Sequence, residues 1–207
     1  MRLTDGLLWL TSTDNFGLTG FIPEEISLLS FLEHLILKNN IELVGPVPTK
    51  LGQLKGLRQL GLYNNNIEGS IPEQLFQATS LKFLNLEGND LEGAISPKIE
   101  SLDRLETLVL MNNKLTGEIP FGSLSSTKVK FLGLSNNQFA GTIAPTVGVL
   151  DKLEYLYLDG NRFSGPIPST LSELTGLSEL SSLSPCLQLR LVSVLIRYCV
   201  FVPFQSH

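Results

Sequence analysis

The sequence predicts an α/β repeat solenoid whose short strands stack in parallel into one concave β-sheet. Three observations carry that expectation. A leucine-type residue opens near-identical units at Leu7, Leu32, Leu57, Leu81, Leu105, Val129, Leu153 and Leu177, spaced by 25, 25 and then 24 residues. The second to seventh units each hold an L-x-L alternation, the period-two signature of a strand with one buried face. The first seven units also carry an Asn at one fixed offset and a Gly four or five residues after it, where a chain that must turn needs them. Self-similarity at this period means stacked units, not an ordinary globular domain.

Residues 1–6 read as a lead-in without a recognisable cap, 7–176 as seven repeats, and 177–207 as a degenerate eighth repeat with an apolar tail. In the clearest unit Leu108 and Leu110 point inward, while Val109 and Met111 point outward. Stacked strands place equivalent positions about 4.8 Å apart. Asn15, Asn40, Asn65, Asn89, Asn113, Asn137 and Asn161 form a ladder where the strand turns. A buried amide donates and accepts at once, and so serves turn backbone that no strand partner reaches. Gly20, Gly45, Gly69, Gly93, Gly117, Gly141 and Gly165 then permit a tight bend. An apolar-Pro step, as at Ile71-Pro72 and Ile119-Pro120, fixes φ at the entry to the convex side. There Leu51 and Leu54, Leu75 and Ala78, or Leu171 and Leu174 return at helical spacing. The Leu124 segment breaks that spacing, which predicts irregular convex structure. In the eighth unit Pro185 stands where the ladder Asn belongs and Leu189 where the Gly belongs. The tail reads either as a divergent cap or as a poorly folded or membrane-associated extension.

Composition narrows the function. Fifteen Lys and Arg against 20 Asp and Glu give a net charge of −5, so no basic face for nucleic acid can be assembled. Two Cys and two His leave little for a metal site, and neither metal nor cofactor is expected. Cys186 and Cys199 form one pair at most, in a redox state that stays open. The apolar run Leu7 to Leu10 is too short for a signal peptide. The stretch 187–204 contains Arg190 and Arg197, each costing about 2.5–3.5 kcal/mol at a bilayer centre. Membrane association is therefore expected only through the tail.

Catalysis finds little material. His207 is terminal, which leaves His34, expected to be an exposed residue beside Glu33. The outward residues Glu33, Arg58, Lys82, Glu106, Lys130 and Glu154 run acid, base, base, acid, base, acid, so that every acid has a cation as neighbour. That predicts surface ion pairs instead of two acids held about 5–10 Å apart for glycoside hydrolysis. The chain is expected to be no enzyme. The concave face carries more: Trp9, Tyr63, Phe83, Phe131, Tyr155 and Tyr157 all take outward positions, with Val109, Met111 and Asp159 beside them. Aromatic side chains there have no core to fill and supply contact area at low entropy cost. A purely structural ring ladder is the competing reading, and Trp9 is equally well read as a cover for the N-terminal edge.

The pattern L-x-x-L-x-L-x-x-N-x-L-x-G-x-I-P, complete from Leu105 to Pro120, resembles the leucine-rich repeat. The L-x-G-x-I-P element is similar to the plant-type subclass of receptor-kinase ectodomains and polygalacturonase-inhibiting proteins. This resemblance spans 170 of 207 residues. It implies a right-handed superhelix with short helical or extended convex turns, and an extracellular or cell-surface setting. The N-terminal Cys-flanked cap of the subclass and any N-x-S/T sequon are missing from the sequence. On this basis the chain reads as a monomeric, non-catalytic module that binds a protein or peptide on its concave face. Recognition, signalling or inhibition of a secreted hydrolase would be its setting. Two alternatives stay open: a truncated or degenerate repeat fragment with no partner, and a carbohydrate-active enzyme.

Overall fold

Each unit traces one coil: a strand, a turn at the ladder Asn, a second short strand, an apolar-Pro step and a single helical turn. The structure is a computed structural model; it describes residues 2–4, 7–12 and 17–181, with side chains for 9–11 and 17–181. The first strands of successive coils form a parallel sheet running from Leu7–Ser12 through Leu32–Leu37, Gln59–Gly61, Phe83–Asn85, Thr107–Val109, Phe131–Gly133 and Tyr155–Tyr157 to Glu179–Leu180. Register is strict: Leu60, Leu84, Leu108, Leu132, Leu156 and Leu180 lie opposite one another in turn. Any slip would move the leucines to the solvent face, so burial itself sets the register. The lead-in contributes Arg2–Thr4, which pairs antiparallel with Leu7–Ser12 at the edge of the sheet.

The inward leucines build one continuous core from Ile22 to Leu177. In the unit opening at Leu105, Leu105, Leu108, Leu110 and Leu115 are each at most 1% exposed. Phe76, Phe121 and Phe139 fill the wider gaps.

The convex segments are 3-10 turns, not α-helices: Glu24–Leu28, Thr49–Gln53, Glu73–Gln77, Pro97–Ser101, Pro145–Val149 and Ser169–Glu173. Their bonds recur every three residues, from Leu51 N–H to Pro48 C=O, Leu54 N–H to Leu51 C=O and Leu57 N–H to Leu54 C=O. A period of three puts the leucines on one inward line. The Leu124 segment is regular after all. It forms a short α-helix, Phe121–Leu124, in which Leu124 N–H reaches Pro120 C=O. Moving the leucine one place along the chain is accommodated by one wider turn, and Phe121 and Leu124 are both buried.

A second sheet flanks the first and was not foreseen from the sequence. Its parallel strands are Gly20–Phe21, Asn40–Pro46, Asn65–Ser70, Asp90–Gly93, Lys114–Gly117, Gln138–Thr142 and Arg162–Ser164. After the first, they begin at or just after the ladder Asn and have no L-x-L alternation to announce them. Stacking alone brings their backbones into bonding distance.

The ladder joins coils to each other. Asn113 Nδ2 donates to the carbonyls of Leu110 (3.2 Å) and Met111 (3.1 Å) in its own coil and of Leu86 (3.0 Å) in the preceding one. Its Oδ1 accepts from Leu91 N–H of the preceding coil at 3.0 Å. Asn89, Asn137 and Asn161 repeat the same set. Asn65 donates in the same way and accepts from Asn40 N–H, and Asn40 accepts from Leu18 N–H. Asn15 lies outside the described residues, as does everything after residue 181, including Cys186, Cys199 and the tail.

Two predictions test these contacts. Asn113→Ala leaves the buried Leu91 N–H without its partner and takes one donor from each of the Leu86, Leu110 and Met111 carbonyls, and should destabilise the fold by about 1–3 kcal/mol in urea melts. An unchanged midpoint would remove the ladder as a source of stability. Glu24 reaches forward to the next coil, accepting from Lys50 N–H (2.8 Å), Thr49 N–H (3.0 Å) and Thr49 Oγ1 (2.9 Å). The Lys50 bond, partly opposed by desolvation and aided by those of Thr49, holds its carboxyl below the ordinary carboxylate range. A lowered folded-state pKa stabilises above the unfolded value and is lost as pH falls through the folded one. The stability gap between wild type and Glu24→Gln should therefore be widest near neutrality and close in acid.

Candidate functional site

The outward strand positions make the concave surface, in rows that run across the coils. The row next to the unit-opening leucine is charged and pairs off: Arg58 with Glu33 at 3.2 Å, Lys82 with Glu106 at 3.4 Å and Lys130 with Glu154 at 3.6 Å. Each acid has a cation beside it, the arrangement expected from the order of signs. Half-exposed pairs of this kind contribute about 0–1 kcal/mol each. Their effect on the surface is to cancel charge along one edge of the face.

The next row, one residue further along each strand, holds Trp9, His34, Gln59, Phe83, Thr107, Phe131, Tyr155 and Glu179 in register. His34 is not the exposed residue expected. Trp9 stacks on it with ring centroids 3.8 Å apart and an interplanar angle of 16°, leaving its side chain 12% exposed. Its Nδ1 is buried with no hydrogen-bond partner. Trp9 therefore covers His34 at the N-terminal part of the face, and among the described residues its ring stacks on no other aromatic.

The structure divides the proposed contact residues. Phe131 meets Tyr155 at 5.7 Å and Tyr157 at 5.3 Å, with the rings tilted by 34° and 39°. Spacings and tilts of this size suit mutually attractive aromatic quadrupoles. Met111 adjoins them: a Cβ at Gly133 would press on both Met111 and Phe131, so those side chains close over the bare backbone of Gly133. Phe83 is set apart from Phe131 by Thr107, its neighbour in register. Tyr63 lies further away, where it and Ile36 cover Gly61 in the same manner. Val109 corrects an expectation. It faces the concave side but is buried at 7% exposure, because its short branched side chain sits below the longer ones around it. It is floor, not contact surface.

Asp159 follows Tyr157 on the same side of the chain and accepts from Ser135 Oγ of the preceding coil. Glu179 pairs in register with Tyr155. Burial, then a hydrogen bond to Glu179 and the charge of that carboxylate, push the Tyr157 hydroxyl up to about 12. Glu179 was not singled out from the sequence, although Leu177 and Leu180 already placed it in the third position of the eighth unit.

The rim where strand meets turn is backbone-controlled. Asn39, Asn64, Asn112 and Asn136 take positive φ there, as do Gly88 and Gly160. Glycine leaves room at the last two for the preceding coil's asparagine. A Cβ at Gly88 would strike Asn64 Oδ1, and one at Gly160 would strike Asn136 Oδ1. Among the described residues no group of His, Cys, Asp and Glu has the geometry to hold a metal ion. Among them, too, no helix is long and apolar enough to cross a membrane. Phe21, Leu28, Phe31 and Ile41 are the more exposed large apolar side chains, and they lie off the aromatic patch in residues 21–41.

Strands, ladder and convex turns together define a solenoid of leucine-rich coils that presents a shaped sheet face. A family model described as Leucine Rich Repeat matches residues 56–78, 80–102 and 152–174. Comparison with curated protein sequences finds no match. Among solved structures, the chain is similar to the LRR ectodomain of the plant membrane receptor kinase GASSHO1/SCHENGEN3 from Arabidopsis thaliana, in complex with CASPARIAN STRIP INTEGRITY FACTOR 2. They share 38% identity with a TM-score of 0.75 over 79% of this chain and 20% of that one. The Arabidopsis receptor kinase HAESA, in complex with the peptide hormone IDA and the co-receptor SERK1, gives 35% identity and a TM-score of 0.75 over 81% and 29%. The BIR3–SERK2 complex from Arabidopsis thaliana gives 39% identity and a TM-score of 0.52 over 59% and 69%. The chain belongs to the plant-type leucine-rich-repeat family. It spans 20% to 30% of the length of the first relatives it matches.

One titration checks the Tyr157 environment. The ultraviolet difference between wild type and Tyr157→Phe should develop around pH 12. A difference centred in the ordinary tyrosine range near pH 10 would show the hydroxyl to be freely solvated.

Proposed function

We propose that this chain is a non-catalytic module that binds a protein or peptide on its concave face, centred on Met111, Phe131, Tyr155 and Tyr157. The observation that carries the reading is the contiguous aromatic patch on a face with no core to fill. Large rigid rings around a buried floor are the kind of surface on which binding energy concentrates. The family relationship supports it, since solved relatives include receptor ectodomains in complex with peptides and co-receptors. Phe83, Tyr63 and Trp9 extend the surface towards the N-terminal coils as separate contacts. In this reading the chain acts as a monomer without metal or cofactor. Residues 7–176 are its seven repeats, 1–6 the lead-in, and 177–207 the end of the solenoid and a tail. Cell-surface recognition, signalling and inhibition of a secreted hydrolase are the roles such a surface serves.

The test is selection of peptide ligands from a display library against the whole chain, followed by affinity measurement on variants. Tyr155→Ala or Tyr157→Ala should each weaken a selected ligand at least tenfold, about 1.4 kcal/mol, while leaving the urea midpoint within about 1 kcal/mol of wild type. A ligand whose affinity survives truncation of Phe131, Tyr155 and Tyr157 would move the site elsewhere. A chain that unfolds cooperatively yet selects no ligand would favour the fragment reading.

A further inference from the structure

We propose that the patch formed by Phe131, Tyr155 and Tyr157 seats a cationic side chain of the bound peptide, an arginine above all, with Asp159 and Glu179 holding its charge. This rests on the concave-face reading and gives it a ligand chemistry. The charge distribution is the main observation. Glu33, Glu106 and Glu154 each have a cation within 3.6 Å. Among the described residues, Asp159 and Glu179 have none; Asp159 comes two residues after Tyr157, and Glu179 lies opposite Tyr155 in register.

Their visible partners are neutral. Asp159 takes a hydrogen bond from Ser135, and Glu179 lies near enough to the Tyr157 hydroxyl to raise its pKa. A carboxylate has two oxygens and about four acceptor sites, so each keeps capacity for a further donor. Aromatic faces attract cations through their quadrupole, most strongly where water is partly excluded. Rings tilted by 34° and 39° offer faces instead of one flat stack. A neutral anchor would leave two carboxylates uncompensated next to desolvated rings, and an acidic one would be repelled. A guanidinium suits the place better than an ammonium, because it is planar, weakly hydrated and able to stack while donating in a fork.

Two model ligands separate the possibilities: acetyl-Gly-Arg-Gly-amide and its citrulline counterpart, which keeps the shape without the charge. They are titrated into the full 207-residue chain while the tyrosine ring resonances are followed by NMR. Tyr155 and Tyr157 should shift saturably with the arginine probe, and the citrulline probe should bind at least tenfold more weakly. Asp159→Asn combined with Glu179→Gln should abolish that difference and the salt dependence with it. Equal binding of the two probes would overturn the cation assignment. So would arginine binding that leaves the rings of Tyr155 and Tyr157 unperturbed, or no arginine binding at all. Binding that emerges only in Arg190→Gln/Arg197→Gln would also overturn it, by assigning the seat to this chain's own tail. Display-selected ligands that depend on Tyr155 and Tyr157 but show no arginine preference would sink this inference alone and leave the binding reading intact.

Discussion

Everything in this solenoid depends on one side chain per coil, the ladder asparagine. A parallel stack of short strands has to turn after only a few residues, and each turn buries carbonyls that neither sheet can reach. Unpaired groups in such a place cost more than a net hydrogen bond contributes, so a partner is obligatory. The Asn amide supplies two donors and an acceptor from one compact group, and it directs them to two coils at once. Serine has too few donors for the task and glutamine a longer, less ordered arm. The coil spacing, the height of the leucines and the start of the flanking sheet follow from that bridge.

Once the interior is settled by leucine and asparagine, the outward strand positions are released from packing duty. They carry the chemistry that distinguishes this face. Cations and acids along one row fall into three pairs and cancel. Glycine at 61 and 133 allows neighbouring large side chains to lie flat over the backbone, which turns separate residues into continuous surface. In the C-terminal coils the aromatic rings are joined by two acids, Asp159 and Glu179, that have no cation beside them among the described residues. Because each coil contacts mainly its neighbours, such a gradient can be built unit by unit without disturbing the core. The same scaffold supports unrelated tasks in different proteins, so what this chain does has to be argued from the patch and not from the coils.

The period of 24 or 25 residues, the L-x-L strands, the six described ladder positions from Asn40 to Asn161 and the glycine bends were all legible in the sequence. Each is a local demand repeated at a fixed offset, and repetition makes a local demand visible. Adjacency of Phe131 with Tyr155 was legible for the same reason, since equal position in neighbouring units means equal place in neighbouring strands. The pairing of the charged row followed from the order of its signs.

Other features were settled only when the coils stacked. The flanking sheet has no alternation of its own and exists because identical backbones lie side by side. Helical spacing on the convex side did not distinguish a 3-10 turn from an α-helix; closure of a coil within its fixed length decides that. Val109 points outward by pattern and is buried in fact, while His34 is outward by pattern and capped by Trp9. Exposure is a property of a side chain's height relative to those on either side, and those neighbours lie about 24 residues away along the chain. A one-dimensional pattern gives the direction of a side chain; only the packed surface determines what stands over it.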